Sequence, residues 1–171
     1  FFLPPWRDEV EITGPMAAKL FVSSATEDAD LFLVVRLFSP DMKEIVFQGT
    51  LDPHTPIANG WLRASHRKLD PAKSTAWQPY HTHDEKQLLT PGEIYELDIE
   101  IWPTCVVVPA GYRLALSVRG KDYVYSCATG HRLSNMKNAF TGVGPFLHND
   151  PADRPDHIFG GDVTQHTGPD H

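Results

Sequence analysis

Ser65 and His66 stand side by side in GWLRASHRKLDP, residues 60–71, and a serine next to a histidine raises the chemistry of acyl transfer. That chemistry needs the imidazole within hydrogen-bond reach of the hydroxyl. Neighbouring side chains on an extended segment point apart, so the pair is not expected to work as a dyad. A nucleophile elbow would read Gly-x-Ser-x-Gly, because the glycines relieve the strained turn that exposes the hydroxyl. No serine in the 171 residues has that flanking, and no catalytic residue is assigned.

Metal chemistry is the next reading. His81-x-His83 would place two imidazoles on one face of a strand, as in jelly-roll enzymes of the cupin type. Those sites continue with a glutamate four or five residues later, where this chain has Gln87 and Leu88, and the expected upstream glycine is missing. Surface histidines in a Pro-rich loop are therefore expected, with no metal and no other cofactor. The run Glu27-Asp28-Ala29-Asp30 offers oxygen ligands for calcium but reads better as a solvated turn. His148, Asp150, Asp153, Asp156 and His157 carry no recognisable ligand spacing and read as an ordered surface loop.

What remains in residues 60–68 is a set of interface residue types. Tryptophan buries a large rigid face, and arginine donates a planar fork of hydrogen bonds. Trp61, Arg63, His66 and Arg67 are accordingly candidates for a docking edge. The competing reading keeps Trp61 and Leu62 inside the fold, with Arg63 and Arg67 paired to acidic neighbours such as Glu96 or Glu100.

The elements that must position these residues are strands. Tyr95, Leu97, Ile99 and Ile101 alternate with Glu96, Asp98 and Glu100, and Tyr112, Leu114, Leu116 and Val118 repeat the pattern. An antiparallel pairing of these two runs would set acidic against basic outer faces. Residues 16–24 and 44–51 are further strand candidates. Leu31 to Phe38 is apolar on both faces except at Arg36, as in a strand covered twice. Turn signals at Thr13-Gly14-Pro15, Ser39-Pro40-Asp41, Thr90-Pro91-Gly92 and Pro109-Ala110-Gly111 separate the runs. The fold class is all-β, a two-sheet jelly-roll sandwich with little helix, and long connections at 52–90 and 128–158.

Composition bounds the partners. A chain of this length forms one domain, residues 1–171, and no apolar run approaches a membrane span. A net charge of −7 argues against nucleic acid and anionic lipid surfaces. Cys105 and Cys127 sit among apolar neighbours and read as buried free thiols, which agrees with a reducing compartment. The start at Phe1-Phe2-Leu3-Pro4 is not a signal peptide, and both ends read as cuts in a longer, cytoplasmic chain.

Four blocks in order carry a family resemblance: EVEITGPMAAKLFVSSATEDADLFLVVRLFSPD, GWLRASHRKLDP, LTPGEIYELDIEIWPT and PAGYRLALSVRGKDY, with the closing HIFGGDVTQHT also similar. Together they resemble the C-terminal, non-catalytic domain of the cocaine-esterase and X-Pro dipeptidyl-peptidase-like serine hydrolases, the CocE/NonD family. The resemblance implies a galactose-binding-like jelly roll attached to an α/β-hydrolase domain that holds the whole Ser-His-Asp triad. This chain would then be non-catalytic, with that hydrolase domain as its partner and a role in shaping the substrate cleft. A carbohydrate-binding module is the alternative.

Overall fold

The computed structural model describes residues 1–48, 55–123 and 150–168. The strands are β1 (Val10–Ser24), β2 (Asp30–Phe38), β3 (Glu44–Ile45), β4 (Ala58–Arg63), β5 (Tyr95–Val108), β6 (Arg113–Arg119) and β7 (Val163–His166). A 3-10 turn at Ala64–His66 and a four-residue helix, α1 (Asp156–Phe159), are the helical elements among the described residues. The all-β class with little helix is as the alternating sequence predicts. Hydrogen bonds join the described strands in the order β3-β2-β4-β5-β1-β7, with β6 on β2, as one bonded sheet. Among the described residues no helix is long and apolar enough to cross a membrane.

The described residues group into two compact units. One takes those of Phe1–Gly14, Leu33–Asn59 and Pro103–His148. Its buried apolar residues include Leu33, Val34, Val35, Leu37, Ile57, Val108 and Leu114, and Arg36 forms a two-pronged pair with Glu44 at 2.7 and 2.6 Å. The other unit takes those of Pro15–Phe32, Gly60–Trp102 and Asn149–His171. It buries Leu20, Val22, Leu31, Phe32, Leu62, Leu97, Ile99 and Ile101. Burial of this apolar surface is the dominant favourable term in each unit, at about 25 cal/mol per Å².

The β2 expectation holds: Leu31 to Val35, Leu37 and Phe38 are all buried, and Arg36 is the half-exposed exception. Leu97, Ile99 and Ile101 of β5 are buried while Glu96 is exposed, as the alternation requires. The runs 95–101 and 112–118 are not partners, however, since β6 lies on β2. The acidic face of β5 is met instead by β1, where Lys19 bridges Glu96 and Asp98.

Three boundaries differ from the sequence reading. Gly14-Pro15 does not end a strand; β1 runs through it, with Gly14 absorbing the distortion at φ 112°. Residues 58–63, read as part of a long connection, form β4 between β2 and β5. The signal there is weak because Asn59 and Gly60 are poor strand formers. Glycine is required at 60, where a Cβ would collide with the Glu100 carbonyl oxygen on the paired strand. The third difference is on β5, where Trp102 and Pro103 are both exposed and the alternation slips by one. Proline cannot donate to the ladder, and such slips accompany it. Cys105 is therefore exposed rather than buried, with its Sγ 3.4 Å from Thr13 Oγ1. Cys127 and His148 lie outside the described residues, as do 49–51 of the expected strand 44–51. The Thr90-Pro91-Gly92 turn is as predicted, closed by the Glu93 amide on the Thr90 carbonyl at 3.1 Å with Gly92 at φ 84°.

Candidate functional site

Within the unit that holds Gly60–Trp102, β4 and β5 carry their core residues on one face and leave Trp61, Arg63, Glu100 and Trp102 off it. The 3-10 turn follows β4 directly and brings His66 to the same region. Residues 79–83 cover it. They are held by the Asp70 amide on the Tyr80 carbonyl at 2.9 Å and by the Thr82 amide on the Lys68 carbonyl at 3.0 Å. Between these segments lies a groove of about 530 Å³ lined by Trp61, Arg63, His66, Tyr80, the two histidines of His-x-His and Glu100.

The four candidate docking residues separate here. Trp61 and His66 are half-buried in the groove wall, and the Trp61 ring meets the Trp102 ring edge-on at 5.0 Å. Arg63 also lines the groove, but its guanidinium is engaged. It donates to both Asp30 oxygens at 2.8 and 2.9 Å and to both Asp153 oxygens at 3.1 and 3.0 Å, and lies 4.4 Å from the Phe159 ring centre. Its acidic partners are thus Asp30 and Asp153, not Glu96 or Glu100. Arg67 is absent from the groove lining. It donates to the carbonyls of Ala64 and Gln87 and lies over the Tyr95 ring at 4.6 Å, so it holds the segment from behind.

Ser65 and His66 do not form a dyad. Ser65 is fully buried and donates to Asp28 Oδ2 at 2.6 Å, while His66 Nδ1 faces His83 Nδ1 at 3.0 Å. The acidic turn is solvated at Glu27 but not at its two aspartates. Asp28 is buried beneath the 3-10 turn, and Asp30 is tied to Arg63 and Arg154. In the segment read as a surface loop, Asp153 is the acceptor for Arg63, and Asp156 opens α1.

Of the two histidines expected at the surface, His83 is exposed and His81 is not. His81 is half-buried, and both of its ring nitrogens are shielded without a hydrogen-bond partner among the described residues. Its ring lies 6.1 Å from that of His83, which stands 5.2 Å from His66. His83 adopts φ 53°, a left-handed conformation uncommon for a side chain of its size. Among the described residues no three His, Cys, Asp or Glu side chains are placed to hold a metal ion.

Burial, helped by His83 and His66 and opposed by Asp98, pushes the His81 imidazole below its ordinary value of 6.5. The folded chain then binds fewer protons than the unfolded chain in mildly acid solution, so stability falls with pH. The loss begins as pH drops through 6.5 and levels off below the folded value. Urea midpoints measured from about pH 7.5 to about pH 5 are expected to fall, and His81→Phe to flatten the histidine part of that slope. An unchanged slope in His81→Phe would remove His81 from this account.

Comparison with known proteins agrees with this architecture. Residues 1–158 match the family described as the X-Pro dipeptidyl-peptidase C-terminal non-catalytic domain. A Mycobacterium bovis protein provisionally named a serine esterase is 29% identical over 125 residues, covering 69% of this chain and 18% of the relative. A Mycobacterium tuberculosis protein of the same description matches equally. The crystal structure of a CocE/NonD family hydrolase from Staphylococcus aureus superposes with a TM-score of 0.78 at 27% identity, over 100% of this chain and 28% of that one. The chain thus spans less than a third of the length of each of these proteins.

Proposed function

The chain belongs to the X-Pro dipeptidyl-peptidase C-terminal non-catalytic domain family, and from that premise we propose that it is the accessory β-sandwich of a longer serine hydrolase. In this reading it packs on an α/β-hydrolase domain that cleaves ester or X-Pro amide bonds, and it shapes one wall of the substrate cleft. The observation that carries the docking surface is the aromatic set at the groove: Trp102 is 61% exposed against the edge of Trp61, and Tyr80 is 47% exposed. Large aromatic side chains left outside a core and rimmed by charge are typical of interaction surfaces. Trp61, Arg63 and His66 belong to that surface, and Arg67 supports it. The comparisons, which are with hydrolases and with a peptidase domain, do not favour a carbohydrate-binding module.

Two measurements on the longer protein test this. A fluorophosphonate probe is expected to label a serine outside residues 1–171 and to leave this chain unlabelled when it is presented alone. Trp102→Ala should lower the stability of this chain by no more than about 1 kcal/mol, the worth of its edge-on contact with Trp61, because the ring is otherwise mostly exposed. In the longer protein the same change should weaken the hold between the two parts by about 2 kcal/mol, a hot-spot effect, and speed proteolytic cutting between them. A labelled serine within this chain, or a hydrolase domain indifferent to removal of this chain, would overturn the proposal.

A further inference from the structure

We propose that the groove is a receptor for one cationic side chain, an arginine, presented by the hydrolase domain. This rests on the docking reading above and supplies the chemistry of the contact. The inventory of donors and acceptors carries it. Arg63, the cation on the groove wall, has its guanidinium directed to Asp30 and Asp153. Glu100 is half-buried on the groove wall, and among the described residues its carboxylate takes part in no hydrogen bond or ion pair. His81 adds a ring whose nitrogens lack partners, and a neutral imidazole offers one lone pair. The His66 and His83 Nδ1 atoms at 3.0 Å are one donor and one acceptor, so as neutral rings they leave one lone pair and one N–H at their two Nε2 atoms.

The groove therefore presents one negative charge and several acceptors between aromatic rings. Tyr80 already carries the Lys73 ammonium 4.6 Å from its ring centre, which shows that its ring takes a cation. A guanidinium supplies five N–H donors, accepts nothing, and stacks on aromatic faces. An acidic partner group, or one without N–H or O–H donors, would cover Glu100 without pairing it, and a buried unpaired carboxylate is costly. The volume of about 530 Å³ suits a single long side chain with room for water. The net charge of −7 on this chain has the sign that attracts a cationic partner.

The probe is N-acetyl-L-arginine amide, titrated into this chain and followed by the Trp61 indole signal. N-acetyl-L-citrulline amide, nearly the same shape without charge, is the control. The arginine probe is expected to bind, and both the citrulline probe and the Glu100→Gln chain to bind about tenfold more weakly or worse. Glu100→Gln keeps the side-chain shape, and an unchanged urea midpoint verifies the fold. In the longer protein, Glu100→Gln is expected to speed cutting between the two parts several-fold, as Trp102→Ala does. Equal binding of the two probes, or binding of neither, overturns the arginine assignment. Cutting that responds to Trp102→Ala but not to Glu100→Gln overturns it too while leaving the docking surface intact. Cutting that responds to neither overturns both.

Discussion

Asp30→Ala is expected to destabilise the protein by about 3 kcal/mol, the cost of breaking a largely buried ion pair by removing one partner. The Asp30 side chain is only 9% exposed and accepts from two arginines, from Arg63 at 2.8 and 2.9 Å and from Arg154 Nε at 2.8 Å. These residues come from the start of β2, the end of β4 and the segment before α1, so one carboxylate ties three distant pieces of chain. The two guanidiniums also lie over the Phe159 ring, at 4.4 and 5.9 Å. Truncation removes the shared anion from two guanidiniums in a partly dry site and leaves Arg63 with the exposed Asp153. Asp153→Ala is the internal comparison. Its carboxylate is 65% exposed, and losing an exposed pair costs under about 1 kcal/mol. Urea unfolding of both variants is the measurement. An Asp30→Ala protein within about 1 kcal/mol of the parent would show that the pair's desolvation cost cancels its attraction.

The same network shows which parts of the structure the sequence could express. Alternation reports which face of a strand is buried, and it placed Leu97, Ile99, Ile101 and the doubly covered β2 correctly. It does not report which strand lies alongside. The acidic face of β5 could be matched on paper to Arg63 or to β6, but sheet order puts Lys19 of β1 there, and Arg63 is drawn to Asp30. Short elements are the second loss. Six residues containing Asn59 and Gly60 carry too little period to stand out, yet β4 lines the groove. The site suffers most because it is made of contacts distant in sequence. Trp61, Arg63 and His66 were legible as interface types, whereas Glu100 and His81 join them only once β4 pairs with β5 and residues 79–83 fold over. Family resemblance covered what local pattern could not, since four ordered blocks constrain the whole fold at once, and residues 1–158 match that family.

Asp28→Ala should cost about as much as Asp30→Ala, for a different reason. Asp28 does not sit in a solvated turn: it is buried and works as an internal cap. Its Oδ1 accepts from the amides of Ala29 and Ser65, both at 2.9 Å, and its Oδ2 from the Ser65 hydroxyl at 2.6 Å. The Ser65 residue is fully buried, so water cannot replace these bonds without opening the turn. Each buried donor left unsatisfied costs about 1–3 kcal/mol, and three are orphaned together. A total near 3–5 kcal/mol follows, since local relaxation recovers part of the sum. Ser65→Ala removes one donor and leaves Asp28 with two, so a loss of about 1–2 kcal/mol is expected. Asp28→Asn keeps an oxygen for the two amides and turns an NH₂ towards a hydroxyl that can accept it, which places it between the other two. Urea midpoints should therefore fall in the order Ser65→Ala, Asp28→Asn, Asp28→Ala. The turn also carries His66 into the groove, so the His66 and His83 ring signals in Asp28→Ala should lose their mutual contact under conditions where the sheet is still folded. A Ser65→Ala protein as unstable as Asp28→Ala would place the whole effect on the hydroxyl and discard the capping role of the two amides.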